Sequence, residues 1–93
     1  MHAIVATVNI DVSRSSKATT ELNDIVVPGA KATPGFIHGY WVRSSDQSKG
    51  TSVELFETQR QADEALAARS AGPPPDSPVT IVSAEVMEVM ASA

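Results

Sequence analysis

Two segments of this chain are apolar on both parities of a strand, and that pattern narrows the architectures open to it. From His2 to Val12 one parity reads Ile4, Ala6, Val8, Ile10 and Val12, and the other Ala3, Val5, Thr7, then Asn9 and Asp11. From Val79 to Ala91 the two sets are Val82, Ala84, Val86, Met90 and Ile81, Met87, Val89. A strand covered on one side alternates apolar with polar residues; a strand covered on both sides does not. A chain of 93 residues can cover one face of a sheet with its own helices. It is too short to cover the second face, so the pattern predicts a sheet whose open side closes against a partner chain.

The segments between supply the other elements. Any serine of Ser13 to Ser16 could cap a helix, and the spacing of Ala18, Leu22, Ile25 and Val26 predicts one over residues 16–32. Pro28 lies inside it, where a missing N–H and a ring clash predict a kink or break near Val27. Thr33-Pro34-Gly35 stops it. Residues 36–44 and 51–57 read as strands joined through the polar turn Ser45 to Gly50. Thr58-Gln59-Arg60-Gln61 fits a capping box for a second helix ending near Ser70. Its buried stripe is Ala62, Ala65 and Leu66, with the stem of Arg69 beside them, and Gly72 is the expected C-cap. Pro73-Pro74-Pro75 and Pro78 make a stiff link to the last strand, Val79 to Met90. The order β-α-β-β-α-β predicts an α+β, ferredoxin-like fold as one domain over residues 1–93. It has a four-stranded antiparallel sheet with both helices on one face, and it dimerises through the open sheet face into an α+β barrel.

Charge and composition exclude several function classes. The net charge is −4, and the seven Lys and Arg residues are scattered. No basic patch is available to neutralise phosphates, which argues against nucleic acid and anionic membranes as partners. Without cysteine there is no thiolate chemistry and no Cys-based metal site, so no metal is expected. No run reaches the roughly 20 apolar residues that span a bilayer. The N-terminal run is short and strand-like and lacks a charged leader, so a cytoplasmic protein is expected.

Element order, Val26-Val27-Pro28 late in the first helix, Pro34-Gly35-Phe36 opening the second strand and Phe56-Glu57-Thr58 leading into the second helix carry a resemblance. The chain resembles the antibiotic-biosynthesis-monooxygenase-like domains of the dimeric α+β barrel superfamily over nearly its whole length. The resemblance implies a homodimer and a ligand pocket between sheet and helices, but it does not choose among cofactor-free monooxygenases, haem-degrading enzymes and other members. Haem-degrading members carry an Asn on the first strand, a Trp just before the second helix and a His on that helix. Here Phe56 stands at the Trp position, Ala65 at the His position, and Asn9 is one residue out of place. No cofactor is therefore expected.

His38 is the one histidine inside the chain and a candidate general base. Tyr40 shares its parity, together with Phe36; Trp41 shares the other with Ile37, Gly39 and Arg43. Gly39, by allowing a close approach, favours the helix side for Trp41. Asn9 could orient a quinone oxygen or a water if buried, or bond its symmetry mate at an interface. The ligand-binding candidates are thus Tyr40, Trp41, Asn9 and Phe56, beside His38 as the catalytic one. Two functions fit: a cofactor-independent monooxygenase-like enzyme on a small aromatic or polyketide-like substrate, or a non-catalytic homodimer that binds a small apolar ligand or is purely structural. A cavity above about 300 Å³ between sheet and helices would favour ligand binding or catalysis over a structural role.

Overall fold

The computed structural model describes residues 1–93. Four strands, β1 (His2–Ile10), β2 (Phe36–Arg43), β3 (Lys49–Phe56) and β4 (Val79–Glu88), form one antiparallel sheet in the order β2-β3-β1-β4. The two-faced β1 is a central strand, as its composition requires. Opposite residues in an antiparallel pair share a face. Ile4 opposes Glu54 and Val86, and His2 opposes Phe56, so this parity lies under the helices. The core there is Ile4, Phe56, Ala62 and Ala65, with Phe36, Leu66 and Val86 packed around it. Phe36 and Phe56 meet edge to face, 6.1 Å between ring centres.

The first helix begins at Ser15 and ends at Lys31 without a break. A 3-10 turn, Val12–Arg14, leads into it and is capped by Asp11, whose Oδ1 accepts from the Ser13 N–H and hydroxyl at 3.1 and 2.7 Å; the helix itself has no side-chain cap bond. Instead of the expected break at Pro28, residues Leu22–Val26 form a π-turn, with the Val27 N–H donating to the Leu22 carbonyl five residues back. A widened turn just before proline absorbs the missing donor and relieves the ring clash. The inserted residue also rotates the C-terminal turns of the helix. Ile25, expected on the buried stripe, is 60% exposed, and Ala30 is buried in its stead.

The second helix, Gln59–Ala68, sits close on the sheet through Ala62 and Ala65. Thr58 Oγ1 accepts from the Gln61 N–H at 3.1 Å. The reciprocal half of the capping box is missing, because the Gln61 carboxamide lies over Gly35 at the place a Cβ would occupy. The helix stops at Ala68, short of Ser70, with Arg69 as its C-cap residue. Gly72, at φ +73°, takes the left-handed conformation of the turn beyond.

Two β-bulges correct the parities read from sequence. In β2 the register slips between Phe36 and His38, which puts Phe36 on the helix side with Gly39 and Trp41. In β4 it slips between Ser83 and Ile81, which turns Ile81 to the helix side opposite Val8. One extra residue inverts the side of everything beyond it. In the β2–β3 turn, Asp46 Oδ1 accepts from the Ser48 hydroxyl (2.7 Å), the Ser48 N–H (3.0 Å) and the Ser44 hydroxyl (2.7 Å). These bonds, Ser48's foremost, hold the Asp46 carboxyl down at about 2.

Candidate functional site

Between the C-terminal half of the first helix and β2 lies a solvent-open cleft of about 400 Å³. Its walls are Val27 and Lys31 from the helix and Phe36, Ile37, Gly39 and Trp41 from β2, with His38 also on its border. Gly39 gives it its shape. A Cβ there would stand 2.8 Å from Trp41 Cη2 and 3.0 Å from Cζ3, so its absence lets the indole lie down across the strand. The close approach expected at Gly39 is made by the indole two residues on. A second groove of about 460 Å³ runs between the second helix and β4, walled by Asp63, Leu66, Ala67, Arg69, Ile81 and Ala84 among others.

The candidates from sequence fall on two faces. Trp41 and Phe56 are on the helix side. Trp41 lines the cleft, and Phe56 is fully buried beneath the second helix. His38, Tyr40 and Asn9 are on the other face, opposite Leu55, Val53 and Lys49 respectively. The His38 ring meets Tyr40 edge to face at 4.8 Å. The cleft therefore brings together Trp41, Phe36 and Lys31, with His38 at its border; Tyr40 and Asn9 belong to the open face.

Behind the cleft is a charged pair that escaped the sequence reading. Glu54, the cross-strand partner of Gly39, is 4% exposed. Arg69 Nη1 donates to both its carboxylate oxygens at 2.7 Å, and Arg69 Nη2 donates to Thr33 Oγ1 at 3.3 Å. A buried carboxylate costs several kcal/mol of desolvation, which the guanidinium fork offsets here. The signal was in the sequence. Glu54 shares a parity with Phe56, and Arg69 continues the buried stripe of Ala62, Ala65 and Leu66 by one turn. A carboxylate on one buried stripe and a guanidinium on the other are natural partners.

No group of three or more His, Cys, Asp or Glu side chains comes together to hold a metal ion. The residues at the positions that the resemblance marks for haem degradation do not fit haem: Ala65, in place of the His, is packed into the core. Phe56 fills the Trp position, and Asn9 faces away from the helices.

No protein-family model matches the sequence, and no curated protein matches it. Solved structures do match in fold. HapK from Hahella chejuensis superposes with a TM-score of 0.71 at 14% identity, over 100% of this chain and 96% of its own. The haem degrader MhuD from Mycobacterium tuberculosis, with two haems bound in its active site, gives 0.74 at 14%, over 100% and 99%. The ActVA-Orf6 monooxygenase of Streptomyces coelicolor, in complex with nanaomycin D, gives 0.63 at 16%, over 99% and 89%. Element order, sheet topology and these superpositions agree: the chain has the ferredoxin-like β-α-β-β-α-β fold that these three proteins share.

Proposed function

We propose that this chain is a monooxygenase-like protein that takes a small, flat, aromatic ligand into the cleft between the first helix and β2. The observation that carries the reading is the cleft itself. Its volume of about 400 Å³ suits a ligand of two or three fused rings, and Trp41 and Phe36 offer faces for stacking. Lys31 is the cation on its wall. A cation beside a bound phenol or enol favours its ionised form, so a substrate acidic enough to ionise needs little help from a protein base. The resulting carbanion-like centre reacts directly with oxygen. A ring methylene becomes a carbonyl, one oxygen atom enters the product and the other leaves as water. Trp41 and Phe36 orient the ring, and Lys31 stabilises the oxyanion. Fold similarity to a monooxygenase is consistent with this chemistry.

The second reading, binding without catalysis, is favoured by one observation. Glu54, the cross-strand partner of Gly39, has both carboxylate oxygens engaged by Arg69 Nη1 at 2.7 Å. One experiment separates the two. The protein is titrated with a hydroxylated anthrone while the emission of Trp41, the sole tryptophan, is followed, and oxygen uptake is then recorded. Quenching with one oxygen consumed per quinone formed is the expected result. Quenching without uptake beyond the uncatalysed rate leaves the binding reading. The absence of both effects would overturn the assignment of the cleft.

The same proposal includes a two-fold homodimer through the open sheet face. That face presents Val5, Val53, Leu55, Tyr40, Val42 and Met87, and Tyr40 and Val42 are 64% and 60% exposed. Two of its hydroxyls pair with each other, Thr7 Oγ1 with Ser83 Oγ at 2.8 Å.

A further inference from the structure

We propose that Glu54 and Arg69 are positioning residues of the cleft: their pair, buried at Glu54 and a third exposed at Arg69, fixes how the ligand-bearing half of the first helix sits over β2. The inference rests on the cleft reading above. A buried ion pair is weak evidence for stability, since apolar residues of similar volume often do as well or better. What this pair does that an apolar pair would not is join three elements. Glu54 stands on β3 directly beside Gly39 of the cleft. Arg69 is the C-cap residue of the second helix. Thr33, which accepts from Arg69 Nη2 at 3.3 Å, lies two residues beyond the cleft wall at Lys31.

The rest of the first helix shows why such a tie matters. Its N-terminal half is bound to the loop before β4. Arg14 Nη1 donates to the Asp76 carbonyl at 2.8 Å, Lys17 pairs with Asp76 Oδ2 at 3.1 Å, and Glu21 accepts from the Ser77 hydroxyl at 2.8 Å. Arg43 Nη1 adds a bond to Thr19 Oγ1 at 3.3 Å. Beyond the π-turn these anchors end. Ala30 is the one buried residue of Val27–Lys31, and Ile25 and Val26 point outward. Arg69 to Thr33 is the one side-chain hydrogen bond that connects this end of the helix to another element. The chain holds the helix end near Phe36; the guanidinium sets its angle, and with it the spacing of Val27 and Lys31 from Trp41.

Three variants test this, each read by melting temperature, by acrylamide quenching of Trp41 and by affinity for a hydroxylated anthrone. The double variant Glu54→Leu/Arg69→Met keeps the interior filled and removes the tie. It is expected to melt at or above the native temperature, yet to show a quenching constant raised about twofold and an affinity lowered about tenfold or more. Thr33→Val leaves the ion pair in place and removes the link to Arg69 together with the bond that Thr33 Oγ1 donates to the Gly29 carbonyl at 2.9 Å. It is expected to lower affinity about three- to tenfold at unchanged melting temperature. Arg69→Lys, which keeps the charge but loses the fork, is expected to fall between native and double variant. A folded double variant with native quenching and native affinity would overturn the proposal. If that variant does not fold, Thr33→Val decides by the same two readouts. If the native protein does not bind the anthrone, the cleft reading fails, and the ligand-free quenching comparison still tests the positioning role.

Discussion

A methyl group added at Gly39 would stand 2.8 Å from the Trp41 ring, close enough that the indole must move. Gly39→Ala is therefore expected to cost about 1–3 kcal/mol of stability, as overpacking does, and to displace the ring that stacks the ligand. Urea denaturation reads the first effect, and a shift in Trp41 emission with weaker anthrone quenching reads the second. Asp46 makes a prediction in pH. Its carboxyl is lowered to about 2 from an ordinary 3.8, so it favours the folded state above the ordinary value, and that contribution is lost as pH falls from about 4 toward 2. Asp46→Asn should melt below the native protein at neutral pH, with the gap closing as the pH approaches 2; a gap independent of pH would contradict the assignment. At this scale the sequence was partly legible. Trp41 could be set on the helix side from Gly39, although its own ring, not a helix, makes the close approach. Lys31 and Thr33 carried no signal, because their roles depend on where the π-turn leaves the end of the first helix.

Elements followed local chemistry where it was unopposed. Thr58 caps the second helix as its position predicts, and Thr58→Ala should cost about 1 kcal/mol, measured by chemical denaturation. The narrow Ala62/Ala65 stripe brings that helix close to the sheet. Ala62→Leu should cost about 1–3 kcal/mol by forcing the helix outward, while Arg60→Ala, which removes an exposed pair with Glu64, should cost far less. Legibility failed where one residue was inserted. The π-turn at Leu22–Val26 rotates the end of the first helix, and the bulges in β2 and β4 invert the sides of Phe36 and Ile81. Periodicity assumes an unbroken repeat, and a pattern of 3.6 or 2 carries no mark of the place where it slips. The division of His38 and Trp41 between two faces follows regular alternation and was legible; the transfer of Phe36 to Trp41's side was not.

For the molecule as a whole, two apolar parities mean two surfaces with different work. The helix-facing side of the sheet carries the small core and, at its β2 edge, the cleft. The open side carries an apolar surface that a second copy would cover. Fold class, strand count and the composition of that open face were readable from residue pattern, because a central strand lined on both sides leaves few alternatives. Charge at the centre of the open face should separate subunits. Val5→Lys, on a central strand, and Val89→Lys, just beyond β4, are both expected to give monomer or aggregate by light scattering, with the first the stronger effect. An unchanged dimer in either would put the interface elsewhere. The sharpest check is a native mass spectrum of the protein purified with no ligand added. A dimer is expected, able to retain the added mass of a small aromatic molecule. A monomer at micromolar concentration, with the open sheet face in water, would contradict the division of the sheet into a ligand side and a pairing side.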